Sequence, residues 1–394
     1  MLTADILVIG LGAVGSTALY QGARAKARVI GIDRFSPPHD HGSSHGDTRI
    51  TRQAIGEGRE FVPLVLRSDQ IWTEVEQDAD CNLVTRCGCL VLASPNMPGQ
   101  HHGSRSFLQD TINAAREFGI AHETLSTSDL RHRFPQLRLR DDEAGYFEPG
   151  AGFLRPEACI AVQLELARRA GAQTMLNEIV SRITPSARGA LEVQTDRATY
   201  SAGHVVVTAG AWIAKLLGER YSHLFRIYRQ MLNWFALASN PERYSPEQFP
   251  VFIWITGDQP RDMMYGFPAV DGRDGGLKIG TEQYDATVDP DSVSREIEPR
   301  EIARLYDEYI APRFPDVSGR CLRSTTCLYT VTPDAKFIVD RIDGMENAWF
   351  ASACSGHGFK HSAAVGEALA RQALGEAPLV DLSMFRLGRF DALP

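Results

Sequence analysis

The chain has 394 residues, 43% hydrophobic and 23% charged, with 34 glycines. At roughly 100–200 residues per domain it predicts two or three domains with a sizeable core, and it argues against a disordered chain or a small stapled scaffold. Lys and Arg number 41 against 49 Asp and Glu, a net charge of −8, which argues against a broad basic face for nucleic-acid phosphates.

Residues 4–9 are a short β-branched run of the kind that forms a buried parallel strand, and they lead straight into Gly10-Leu11-Gly12-Ala13-Val14-Gly15. The apolar stretch over 6–19 is broken by Gly10, Gly12, Gly15 and Ser16 and lacks a basic leader. It therefore predicts neither a signal peptide nor a membrane span, and a cytoplasmic location is expected. A helix is predicted over 13–25, then a strand over 28–32 ending at Asp33. Strand, glycines, helix, second strand and terminal acid stand in the order of a dinucleotide-binding βαβ unit. Gly10 allows the tight turn, Gly12 lets the backbone approach a pyrophosphate, and Gly15 lets helix and strand pack closely. The helix N-terminus stabilises the negative charge, and Asp33 accepts from the adenosine ribose. The motif by itself does not choose between FAD and NAD.

His39-Asp40-His41 and His45 form a superficial metal set, but they lie in a loop rich in Pro, Gly and Ser, and no metal is expected there. Seven cysteines form an odd set without CxxC units, which argues against a disulfide framework and a structural zinc site. Further on, a helix is predicted over 156–170, with Pro156 in its first turn and Gly171 past its end. Strands follow over 178–183, 190–195, 198–201 and 205–207. Residues 205–212 place small side chains at the end of a core strand, where a cofactor can approach the backbone. Near the end come a strand over 348–354, a glycine-flexed turn over 355–360 and an amphipathic helix over 361–377. If these stretches share one sheet, a dinucleotide domain is assembled from 1–85, 146–215 and 321–394. Residues 86–145 and 216–320 then form a second, substrate-binding domain. Its aromatic and β-branched runs at 227–236, 251–256 and 263–267 predict a mostly antiparallel sheet, with substrate held in the cleft.

Across nearly its whole length the chain resembles the family of monomeric sarcosine oxidase and N-methyltryptophan oxidase. The resemblance rests on Gly10 to Gly15 with Asp33, on His45-Gly46-Asp47-Thr48-Arg49-Ile50-Thr51-Arg52, and on Tyr265-Gly266-Phe267-Pro268 leading to Gly276-Leu277-Lys278. It continues through Cys327-Leu328-Tyr329-Thr330 with Thr332-Pro333-Asp334, and ends on Ser355-Gly356-His357-Gly358-Phe359-Lys360. It implies an α/β fold with a discontinuous Rossmann-like FAD-binding domain, and FAD bound covalently by a thioether from Cys327 to its 8-methyl carbon. That chemistry suits a thiol whose pKa nearby cations lower. The resemblance also implies that Arg49 lies against the flavin ring, while Arg52 and Lys360 hold the substrate carboxylate, a planar fork and a point charge fixing one orientation. Lys278 is tied to oxygen activation, since a fixed cation stabilises the superoxide first formed. Tyr265 and Tyr329 line the substrate cavity, and His45, Gly356, His357 and Gly358 border the cofactor.

The expected function is an FAD-dependent oxidase of secondary amino acids, N-methyl or cyclic. The amine binds deprotonated and loses a hydride equivalent to the flavin, and water hydrolyses the resulting imine. An N-methyl substrate then yields the primary amino acid, formaldehyde and hydrogen peroxide. The partners implied are a small secondary amino acid and O2, with neither nucleic acid nor membrane, and the chain is expected to act as a monomer. The alternatives are a D-amino-acid oxidase or amine dehydrogenase of the same fold, a non-catalytic flavoprotein subunit, and a nicotinamide enzyme. One position departs from the family: Glu282, four residues after Lys278, stands where its members carry a histidine that contacts substrate. Strand periodicity predicts that Glu282 faces the cleft beside Lys278. An anion there disfavours sarcosine and predicts a bulkier, cyclic or additionally polar substrate.

Overall fold

The computed structural model describes residues 2–94, 101–186 and 189–390. The strand Leu2–Ile9 pairs in parallel with Val29–Asp33 on one side and Thr199–Val207 on the other, and Val29–Asp33 pairs in parallel with Gln173–Leu176. Met345–Ser352 extends the parallel set beside Thr199–Val207, antiparallel strands flank the sheet on that side, and the parallel strand Gln173–Leu176 forms the other edge. Ile6, Leu7 and Val8 are at most 1% exposed. A parallel strand covered on both faces demands such a continuous apolar run, and each of these side chains contributes about 1.5–3 kcal/mol by leaving water.

The helix Ala13–Arg24 packs on this sheet between Pro156–Arg169 and Ser362–Ala373. Gly366 permits the second contact, because a Cβ there would stand 2.6 Å from the Val14 carbonyl oxygen. The predicted strands over 198–201 and 205–207 are one strand, Thr199–Val207, whose first half pairs antiparallel with Leu191–Thr195 while its length pairs in parallel with Leu2–Ile9. The last helix begins with a tight turn at Phe359–His361 and ends at Ala373, followed by Gly375 at φ +78°.

A second sheet runs in the order Val317–Val331, Arg226–Leu237, Leu277–Thr281, Met263–Gly266, Val251–Ile255, Cys89–Ala93, Ala144–Glu148, Glu123–Leu125. Every neighbouring pair is antiparallel except Val251–Ile255 with Cys89–Ala93. The boundaries expected at 146 and 321 fall inside strands of this sheet. Its edge strand Val317–Val331 follows Arg226–Leu237 along its length, so Cys327 and Tyr329 belong to the second sheet, opposite Gln230 and Tyr228. Among the described residues no helix is long and apolar enough to cross a membrane.

Candidate active site

The carboxyl ends of the parallel strands open onto a cavity of about 400 Å³, lined by Gly10, Gly12, Asp33, Thr208 and Ser352 among others. A second cavity of about 130 Å³ adjoins it beneath the other sheet, and Ala13, Ser43, Ser44, Ala353 and Cys354 line both. The glycines shape the larger one. Gly10 has φ +87°, and a Cβ on it would lie 2.5 Å from the Thr208 carbonyl oxygen. A Cβ on Gly15 would lie 1.8 Å from the Gly10 carbonyl oxygen, which fixes the approach of helix to strand. Gly12 meets nothing nearer than Ser44 Oγ at 4.0 Å, so open space lies before the N-terminus of Ala13–Arg24 where a side chain would stand. Such a cradle, with helix amides behind it, suits a pyrophosphate. Asp33 is buried at the strand end, and its two carboxylate oxygens accept from Leu11 N at 2.7 Å and Phe35 N at 2.8 Å. Burial pushes its pKa up against these hydrogen bonds.

The smaller cavity collects the cations. Arg52 and Lys360 both line it, and both meet Glu57, which the sequence reading did not single out. Arg52 pairs with Glu57 Oε2, and Lys360 Nζ lies 3.5 Å from Glu57 Oε1 while donating to the His357 carbonyl oxygen at 2.9 Å. Burial opposes ionisation of Glu57, but Arg52 and Lys360 hold its carboxyl well below the usual range. Lys360 is pushed down to about 8 by burial, against the attraction of Glu57. With both cations charged the trio carries one net positive charge, the complement of a single carboxylate. Only the nearby acid in Arg52-Gln53-Ala54-Ile55-Gly56-Glu57 could have signalled this partner.

Tyr265 and Tyr329 line the same cavity with Ile50, Ile253, Met263 and Phe267. Arg49 lines it too, with its guanidinium donating to the carbonyl oxygens of Thr48 at 2.9 Å and Ser43 at 2.8 Å. Gly356, His357 and Gly358 complete the wall. A Cβ on Gly358 would lie 1.8 Å from the Ala353 carbonyl oxygen, so only glycine closes that turn. His357 is buried and held well below its ordinary pKa by that burial.

Three expected residues stand behind the walls of both cavities. Lys278 is buried between Trp234 and Phe267, with Nζ donating to the Gly46 and Thr48 carbonyl oxygens at 2.6 and 2.9 Å and to Thr48 Oγ1 at 3.2 Å. Burial and the neighbouring Arg49 hold it well below the usual lysine range. His45 is buried beside Arg49 with Nε2 unpartnered among the described residues, and burial pushes its pKa down to about 3. Cys327 packs with Leu232, Trp234 and Tyr329. The cations expected to lower its thiol are in place, Arg49 and Lys278, but burial outweighs them and the thiol pKa is raised.

Glu282 lines the cavity, but Lys278 does not share that wall. The strand ends at Thr281, so the two-residue periodicity lapses one position before Glu282. Glu282 is also not a lone anion: Oε1 meets His102 Nε2 at 2.8 Å and Oε2 accepts from Tyr284 OH at 2.8 Å. No sequence signal pointed to His102, which reaches the site from a separate loop.

A glycine-shaped dinucleotide cradle opening onto a cation-bearing cavity defines an oxidoreductase that works with a bound dinucleotide. The FAD dependent oxidoreductase family matches residues 5–372, and the chain belongs to it. The chain is 34% identical over 393 residues to monomeric sarcosine oxidase of Streptomyces avermitilis, covering 100% of this chain and 99% of that protein. It is 34% identical over 394 residues to N-methyl-L-tryptophan oxidase of Salmonella heidelberg, covering 98% and 99%. Its fold matches the structure of NikD, described as an unusual amino acid oxidase essential for nikkomycin biosynthesis, with a TM-score of 0.82 at 22% identity over 98% of each chain. The fold is thus that of the FAD-dependent amino acid oxidases, and FAD is the dinucleotide.

Proposed function

We propose that this flavoenzyme oxidises secondary amino acids, with O2 as electron acceptor and as a monomer. The observation that carries the reading is the Arg52–Glu57–Lys360 trio, one net positive charge in a small cavity that adjoins the cofactor cavity. Both named relatives act on N-methylated amino acids by their names, which supports a secondary amine.

Gly10, Gly12 and the N-terminus of Ala13–Arg24 would hold the pyrophosphate, Asp33 the ribose, and Cys327 would attach the flavin. When bound, FAD would supply the two-electron redox chemistry. The chain's residues orient and charge the site. Arg52 and Lys360 fix the substrate carboxylate, a charge-assisted contact that sets which carbon faces the cofactor. Tyr265, Tyr329 and the apolar side chains exclude water from the reacting nitrogen, and the amine reacts in its neutral form. Arg49 places a positive charge beside the electron-rich end of the reaction, and Lys278, whose charge burial disfavours at rest, is favoured as the ammonium when negative charge develops there.

Peroxide release is the test, measured across sarcosine, larger N-methyl amino acids, cyclic imino acids and D-amino acids. A secondary amino acid should give the highest kcat/KM with one peroxide per amine consumed. Preference for a primary D-amino acid would move the chain to that alternative. Anaerobic bleaching of the flavin without peroxide would make it a dehydrogenase.

A further inference from the structure

Residues 101–104 form a tight turn. His101 N donates to the Ser104 carbonyl oxygen at 2.8 Å, Ser104 N donates back to His101 at 2.9 Å, and the His101 ring meets the Gly257 carbonyl oxygen at 3.2 Å. His102 sits at the tip with φ +48°, in the left-handed region that histidine tolerates better than most residues. From there the side chain, 4% exposed, reaches Glu282, 6% exposed, on the opposite wall. Gly356 lies beneath the pair: a Cβ on it would stand 2.9 Å from His102 Cε1, 3.0 Å from Tyr329 Cε2 and 3.1 Å from Glu282 Oε1. Glu282, His102 and Tyr329 therefore converge over Gly356, in the cavity that Lys360 also lines.

An uncompensated carboxylate here would stabilise a substrate ammonium and oppose its loss of a proton. We infer that His102 is a positioning residue that cancels the charge of Glu282, so that the pair offers the substrate's amino group a hydrogen-bond acceptor without a net negative field. This rests on the reading of the site as one for secondary amino acids.

The surrounding charges fit this division. On the His102 side, burial opposes protonation, yet the contact with Glu282 raises the imidazole's pKa, with Glu57 adding to it and Lys360 opposing. His357 lies edge-on at 5.3 Å, held neutral by burial, and His101 is likewise shifted down by burial. On the Glu282 side stand the phenols Tyr284, Tyr265 and Tyr329, each pushed upward by burial and therefore neutral, with the Cys354 thiol beyond Tyr284. His102 is thus the basic group in direct contact with Glu282, and its protonation would make the pair neutral.

The test uses the holoenzyme in four forms: wild type, E282Q, H102Q and the double variant. Two quantities are read, the pH midpoint of anaerobic flavin reduction by the best secondary amino acid and the dissociation constant of propionate, followed by flavin absorbance. Wild type, E282Q and the double variant all carry a neutral pair, since His102 without Glu282 loses its proton. They should share one midpoint. H102Q alone leaves an unbalanced anion, so its midpoint should rise by roughly one unit and its reduction rate below the midpoint fall about tenfold. Propionate should bind several-fold more weakly to H102Q only. An unmoved H102Q, or an equal shift in all three variants, would overturn the inference. E282Q preserves shape and tests it independently if H102Q does not fold, because a lowered midpoint would mark Glu282 as an unbalanced anion in the wild type. If no secondary amino acid reduces wild-type flavin, the assigned reaction fails, and propionate affinity alone decides for or against the pair.

Discussion

Arg52 and Glu57 form an ion pair whose side chains are 0% and 4% exposed, and the same carboxylate reaches Lys360. The cations that would receive a substrate carboxylate thus already share an internal one. Burying two cations without it would cost more than the protein could sustain, so Glu57 is the standing counter-ion of the site.

Glu57→Gln should therefore lower stability by about 3–5 kcal/mol, the range for breaking a buried pair from one side. A bound carboxylate replaces part of the missing charge. Saturating propionate should raise the Tm of the variant more than that of wild type; equal increments would show that Glu57 and the ligand do not compete for the same cations.

Lys360 is held at about 8, so it is charged below that pH and neutral above it. Propionate affinity should be full near pH 7 and fall as pH rises through 8, by about 10–100-fold if one charge-assisted contact worth about 1.5–3 kcal/mol is lost. Lys360→Arg keeps the charge and should flatten the profile. A wild-type profile already flat from pH 7 to 9.5 would place the carboxylate elsewhere.

Cys327 carries a thiol raised by burial, and thiolate is the attacking form. The wild-type protein should retain flavin after acid denaturation, and Cys327→Ala should release it. Reconstitution of apoprotein with FAD should form the covalent bond faster as pH rises from 7 to 9. Attachment that persists in Cys327→Ala would redirect attention to Cys354, the cysteine that lines both cavities.

Lys278 braces the backbone at Gly46 and Thr48 beside Arg49, and although burial disfavours its charge at rest, the negative charge that develops as oxygen is reduced favours the ammonium there. Lys278→Met should slow reoxidation by an order of magnitude or more beyond any loss in anaerobic reduction, about 1.4 kcal/mol or more of selective barrier. Equal losses in the two half-reactions, read by stopped flow, would make its role the bracing of that loop.

The βαβ unit was legible in the sequence because its determinants are local. A continuous apolar run makes a buried strand, and a glycine at φ +87° or one facing a carbonyl at 1.8 Å tolerates no side chain, so these features stand at fixed spacing. The antiparallel second sheet was legible for the same reason, from aromatic and β-branched runs. Which carboxylate neutralises which cation was not. Glu57 meets Lys360 and Glu282 meets His102 only after strands and loops distant in sequence have packed. The strand periodicity that placed Glu282 beside Lys278 failed because the ladder stops at Thr281, beyond which the backbone is no longer held in register by a neighbour. Cys327 shows the same division. Its place in the chain marked it, but the balance between two nearby cations and complete burial is a property of the folded interior, where loss of water outweighs a guanidinium and an ammonium.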